Sequence, residues 1–191
     1  MTRYAEGHKE QTRAHIVDVA AKLLLEKGFD GIGIDAIMKE AGLTRGGFYG
    51  HFESKEDLET TVFARVMEAT RARLFSGDAQ RSEKALERVV EMYLSEKHRD
   101  SFEHGCGIPA LSADVARRSD NVKKAYEAEL LLLVAALEAR LPSSKKGELA
   151  PFDRALALVA LLAGGIAVAR AVKDKALSAR ILAACRRFAL R

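Results

Sequence analysis

Residues Ile34 to Phe52, IDAIMKEAGLTRGGFYGHF, leave this chain few choices of local structure. Asp35 to Glu40 carries Ile37 and Met38 at helical spacing, Gly42 supplies a residue that can turn left-handed, and Thr44 offers a hydroxyl to cap a second helix. Helix, turn and helix thus succeed one another within about twenty residues. At about 100° per residue, Phe48 and Phe52 share one side of the second helix, and Gly46, Gly47 and Gly50 lie on the other. Glycine inside a helix costs up to ~1 kcal/mol relative to alanine, so this helix depends on burying its two rings. A bare glycine face lets backbone approach a flat partner closely. Around it stand Arg45, Tyr49, His51 and Lys55, all able to donate to phosphate, and Arg45 can also donate in pairs to guanine O6 and N7. Taken alone, the segment also reads as a glycine-rich loop with scattered polar groups.

The remaining pattern is helical as well. Apolar residues make up 48% of the 191 and aromatics 6%, with alanine and leucine prominent, which favours helices over strands and predicts an all-α fold. His8 to Lys27 repeats Ile16, Val19, Ala20, Leu23 and Leu24 at helical spacing before Gly28. Ser54 and Asp57 form a capping box that opens a helix through Leu58, Val62, Phe63, Val66 and Met67 toward Leu74, with Gly77 and Asp78 as its stop. Ser82 to Glu96 is the next helix, and Lys97 to Pro109 reads as an irregular turn. A short helix spans Ala110 to Arg117, and a longer one Asp120 to Leu141. The Leu130 to Leu137 run of the longer helix is apolar on nearly every side and so belongs in the middle of a core. Pro142 to Pro151 is a polar linker, and the last two helices run from Phe152 to about Val172 and from about Ala176 to Leu190. The first of these carries small residues at Ala160, Gly164 and Gly165, and more apolar surface than a two-layer monomer would cover. A homodimer through 152–190 is the expectation. The total is about nine helices, divided into a three-helix unit over 1–53 and a larger helical unit over 54–191.

Charge narrows the partners less than it first suggests. The formal net charge is +4, yet residues 1 to 55 hold 8 Lys/Arg and 8 Asp/Glu, so the excess of 23 over 19 lies in the remainder. Only the local placement of Arg45, His51 and Lys55 supports nucleic-acid binding. Cys106 and Cys185 have no paired spacing, which predicts reduced thiols inside the cell. The N-terminus is polar and unlike a secretory signal, and the longest uncharged run, Ala155 to Ala169, is 15 residues, against about 20 for a membrane span. A cytoplasmic protein with no membrane partner is expected.

With this order of elements, TRAHIVDVAAKLLLEKGFDGIGIDAIMKEAGLTRGGFYGHFESKEDL resembles the TetR/AcrR family of bacterial transcriptional regulators, specifically over residues 10–70, with the motif at 33–52. The resemblance implies an N-terminal helix-turn-helix DNA-binding domain and a helical ligand-binding and dimerisation domain. It also implies an Ω-shaped homodimer whose recognition helices enter successive major grooves of a double-stranded operator roughly 34–36 Å apart. Arg45 and Gly46 match the base-contacting start of the recognition helix, Tyr49 and His51 its phosphate contacts, Thr44 its cap, and Lys55 the phosphate-binding lysine of the fourth helix. Gly47, also counted among the DNA-binding residues, and Gly50 replace larger side chains of many relatives. That leaves Arg45 and DNA shape to choose the site. The family's mechanism is repression relieved by an inducer, here an unknown small molecule, with no cofactor, no metal and no enzymatic activity expected. Leu86, Val89, Tyr93, Cys106, Ile108, Leu111, Tyr126 and Leu130 are the candidate pocket, each equally readable as plain core. Alternatively, Cys106 beside His104 forms a thiol sensor, or His98, Glu103, His104 and Cys106 a metal sensor.

Overall fold

A computed structural model describes residues 2–76, 83–141 and 149–190, and every regular element in them is a helix. The first, α1 (Thr2–Lys27), buries Ile16, Val17, Ala20 and Leu24. It stops where Gly28 takes φ 72° and its N–H closes on the Leu24 carbonyl at 2.9 Å. α2 (Ile34–Glu40) buries Ile37 and Met38 and ends before Gly42 at φ 70°, the left-handed turn the sequence predicts. His15 of α1 donates from Nε2 to the Ala41 carbonyl at 3.2 Å, satisfying an end of α2. α3 (Arg45–Phe48) has four residues, fewer than the recognition helix expected. Beyond it the chain continues in tighter turns, Gly50 N–H to Gly47 O at 3.2 Å and His51 N–H to Phe48 O at 2.9 Å. The glycines supply no side-chain packing to hold a longer helix. Phe48 and Phe52 are 0% and 2% exposed, with ring centroids 5.4 Å apart. Each full burial is worth about 1.5–3 kcal/mol.

α4 (Lys55–Leu74) opens on the expected capping box: Ser54 Oγ accepts from Asp57 N–H at 3.1 Å, and the Asp57 carboxylate accepts from Glu53 N–H at 3.1 Å. Its long buried face, Leu58, Val62, Phe63, Val66, Met67 and Leu74, packs on α1 at one end and reaches the second half of the chain at the other. The later helices are α5 (Glu83–Tyr93), α6 (Glu96–Asp100), α7 (Gly107–Val115), α8 (Asp120–Glu138), α9 (Pro151–Ala171) and α10 (Lys175–Ala189). That is ten helices among the described residues, close to the nine or so expected. The addition is α6, inside the segment read as a turn, where Ser95 Oγ caps His98 N–H at 3.1 Å. α7 begins three residues earlier than expected, at Gly107. Gly107 is buried with no room for a side chain, since a Cβ there would lie 2.9 Å from the Phe63 ring. The predicted stop at Gly77 and Asp78, the start at Ser82 and most of the 142–151 linker lie outside the described residues.

α8 departs from the expectation of burial all round. Leu133, Val134 and Leu137 are buried, but Leu131 and Leu132 are 43% and 51% exposed. The helix packs on α4, α9 and α7 and leaves Leu131 and Leu132 on its uncovered side. α9 is long and apolar enough to cross a membrane by length and composition, longer than its uncharged run implied. It packs against α6, α7, α8 and α10 as a core helix. Its small residues divide the work: a Cβ on Gly165 would lie 3.0 Å from Leu94 and 3.1 Å from Cys185, so Gly165 lets α10 approach closely, whereas Gly164 faces open space.

Where α7 ends, it grips the loop joining α1 to α2. Asp114 Oδ2 accepts from Phe29 N–H at 3.1 Å. Arg118 donates to Asp30 at 2.6 Å and lies 5.3 Å from the centroid of the Phe29 ring. Lys55 donates to the Phe29 carbonyl at 2.8 Å and pairs with the buried carboxylate of Glu59 at 3.4 Å. Burial raises the pKa of Glu59, while Arg118 and Lys55 oppose that rise.

Candidate nucleic-acid interface

The start of α3 is exposed while its two rings are anchored behind it. Thr44, Arg45, Gly46, Gly47, Tyr49 and Gly50 are all exposed, Tyr49 at 62%. A Cβ on Gly46 would meet nothing within 4 Å, and one on Gly47 only Met38 and Thr44 at 3.7 and 3.8 Å. The bare face is therefore open on the outside and not filled from within. Thr44 occupies the N-cap position with extended backbone, but its hydroxyl makes no capping bond; it accepts through its carbonyl, from Gly47 N–H at 3.0 Å. The expected side-chain cap is thus absent.

Arg45 pairs with Asp35 at 3.0 Å, both side chains 66% exposed. Such a surface pair is worth about 0–1 kcal/mol, so the guanidinium is held loosely and remains able to turn to a base edge. Tyr49 stands edge-on to Phe48 at 5.2 Å, which fixes its ring and leaves its hydroxyl outward. His51 differs from the expectation of a freely donating imidazole. Its Nδ1 is buried with no partner, and burial, then Lys9, then Arg13, lower its pKa. Lys55 departs further, because its ammonium is committed to Phe29 and Glu59 and acts first as a clamp within the protein.

Lys9 and Arg13, whose positive charges bear on His51, were not legible in the motif. They lie on α1, some forty residues away, and only packing brings them beside the recognition segment; Arg13 is placed by Thr61 at 3.3 Å and by the Phe52 ring at 4.8 Å. Asp35 lies within the motif, ten residues before Arg45, but helical spacing alone does not show that the two side chains pair.

In the larger unit the predicted pocket residues fall into separate groups. Leu86, Val89, Tyr93, Cys106, Ile108 and Leu111 are buried, and Tyr126 and Leu130 pack against the core. Val89 and Tyr93 border a cavity of about 10 Å³, too small for any ligand. Tyr126 stacks on Phe63 at 5.2 Å, and its hydroxyl lies 2.7 Å from that of Ser112. The imidazole nearest Cys106 belongs to His98, whose Nε2 accepts from Cys106 N–H at 3.3 Å and whose Nδ1 donates to the Tyr93 carbonyl at 2.6 Å. His104 is exposed. Cys106 is fully buried, and burial pushes its thiol up, the opposite of an activated thiolate. With both nitrogens of His98 in use, the metal reading loses its central ligand; among the described residues no three His, Cys, Asp or Glu converge on a metal position.

A short exposed helix with a bare leading face, an arginine at its start and a two-phenylalanine anchor defines a helix-turn-helix DNA-binding protein. The signature of bacterial regulatory proteins of the tetR family matches residues 16–59. The HTH-type transcriptional repressor NemR of Escherichia coli (strain K12) is 26% identical over 148 residues, covering 75% of this chain and 74% of that protein. The HTH-type transcriptional regulator AcrR of Shigella flexneri is 38% identical over 63 residues, 33% of this chain and 29% of that regulator's length. The structure of the reduced form of E. coli NemR has a TM-score of 0.78 at 25% identity, over 94% of this chain and 95% of that one. A TetR-family regulator from Cytophaga hutchinsonii shares the fold, with a TM-score of 0.74 at 20% identity over 95% and 94% of the two chains. The chain thus carries the tetR-family DNA-binding segment over residues 16–59 and shares the fold of TetR-family transcriptional regulators.

Proposed function

We propose that this protein represses transcription from the cytoplasm by binding a double-stranded operator as a homodimer, and that a small molecule in the larger helical unit releases it. The exposed face of Thr44, Arg45, Gly46 and Gly47, held out by the buried Phe48 and Phe52, carries this reading. Arg45 reads a base in the major groove, the glycines bring backbone against the DNA, and Tyr49, His51, Lys9 and Arg13 hold phosphates. Lys55 positions the fourth helix and contributes to phosphate only with the donors it has left.

Dimerisation is supported by a stripe along α9, Ala157, Ala160, Gly164 and Val168, whose members are all exposed. Leu177 and Phe188 of α10 add to it at 46% and 68% exposure. These are apolar positions with no cover within one chain. Release works through α4, which begins under the recognition segment and ends in the larger unit, and through α7, which holds the α1–α2 loop by Asp114 and Arg118. A ligand that moves either helix alters the presentation of α3. Useful regulation needs about 1–3 kcal/mol of differential affinity between the two states.

Fluorescence anisotropy with DNA from upstream of the gene tests the reading. Tight binding that weakens steeply with salt and exceeds binding to unrelated DNA is expected; equal affinity for both DNAs would refute a sequence-specific regulator.

A further inference from the structure

Two open clefts flank a single hydrogen bond, from Arg73 Nη1 in the last turn of α4 to the His104 carbonyl at 2.6 Å. On one side a cleft of about 480 Å³ is floored by Leu74, Met92 and Tyr93 and rimmed by Arg73, Lys97 and His104. On the other, a cleft of about 400 Å³ lies between α4 and α1, reaching Asp18 and Lys22 of the DNA-binding unit. The first has the size of a small-molecule site, about 300–1,000 Å³. Among the described residues no carboxylate lines it, whereas Asp18 and Glu103 line the second among its cations. An apolar floor beneath a positive rim selects a molecule that is apolar along its body and anionic at one end.

We infer that the cleft above Tyr93 binds a small amphipathic carboxylate, its head held by Arg73 and Lys97 and its body laid on Leu74, Met92 and Tyr93. A guanidinium presents five donors in a fixed fork, and a carboxylate takes two of them side by side. A head that takes the Nη1 side of that fork competes with the His104 carbonyl for Arg73. Winning it loosens the 101–106 loop, which α4 holds through Arg73 and which follows directly on α6, itself held by Arg170 of α9, a donor to the carbonyls of His98 and Arg99 at 2.9 and 2.8 Å. The same event pulls on the C-terminal turn of α4, the helix whose first turn braces the recognition segment. This inference rests on the proposed inducer mechanism and assigns the inducer's chemical class and its seat.

The test uses calorimetric titration of the whole protein with phenylacetate, octanoate, their uncharged amides and inorganic phosphate. The two acids are expected to bind about tenfold or more tightly than the amides and the phosphate, the worth of a charge-assisted pair. Arg73→Gln and the rim substitution Lys97→Gln are each expected to weaken the acids by a similar factor. Absence of binding by the acids, equal binding by amides or phosphate, or unchanged affinity in both variants would overturn the site. Anisotropy with upstream DNA separates this inference from the reading beneath it. Acids that bind but leave DNA affinity unchanged uphold the site and remove the inducer role. Release by an uncharged compound that persists in Arg73→Gln upholds induction and removes this site.

Discussion

His98 shows how a single tautomer ties the end of α5, α6 and the N-cap of α7 together. With Nδ1–H donating to the Tyr93 carbonyl, only the neutral ring can accept at Nε2 from Cys106 N–H, so a second proton would set two donors against each other. Burial lowers its pKa to about 4. The folded protein thus binds fewer protons there than the unfolded chain, and the stabilisation is full above about pH 6.5. It should fall by about 3 kcal/mol as pH drops from about 6.5 to 4; Glu59, shifted the other way by burial, offsets part of this at the acid end. Urea denaturation at stepped pH should show the loss, and His98→Asn, whose amide can still donate to Tyr93, should flatten it. At the recognition surface, Gly46→Ala meets no atom within 4 Å and should raise stability by about 0.5–1 kcal/mol while weakening operator binding by spacing the backbone from DNA. Thermal unfolding and anisotropy on the same sample check both signs. Arg45→Ala should relax preference at one base position per half-site by about 1–3 kcal/mol, read by binding-site selection.

Among the elements, α3 and α7 depend most on their neighbours. α3 is four residues long and stands because Phe48 and Phe52 are buried against α1 and α2, so its sequence specifies a face more than a helix. α7 ends in a clip on another element's backbone, the Asp114 carboxylate on Phe29 N–H. Asp114→Ala should leave that donor unpaired and cost about 1–3 kcal/mol in urea unfolding. Arg118→Ala should be less than additive with it, because both residues hold the same loop. Additive losses would mean that the two contacts act independently.

At the scale of the whole molecule, the outward stripe on α9 calls for a second copy. Val168→Glu, at a position 53% exposed in one chain, should leave the protomer folded but shift sedimentation toward monomer and reduce operator affinity. An unchanged dimer would exclude this face. The helices themselves were legible from the spacing of Ile16 to Leu24, Leu58 to Met67 and the final segments, as was the turn at Gly42, because periodicity and left-handed glycine are local properties. The recognition face was legible because Arg45 and its glycines are contiguous. What the sequence could not declare depends on which surfaces meet. The inward turn of Lys55 to Phe29, the charges of Lys9 and Arg13 beside His51, the pairing of His98 with Cys106 across a turn, and the exposure of Leu131 and Leu132 all depend on how separate elements fold against one another, which periodicity cannot orient. The local code therefore determined an all-helical DNA-binding regulator by itself. Only the tertiary structure decided which cations are free to meet DNA, and which cleft is left open to a ligand, because burial and electrostatic pairing are set by packing across the chain.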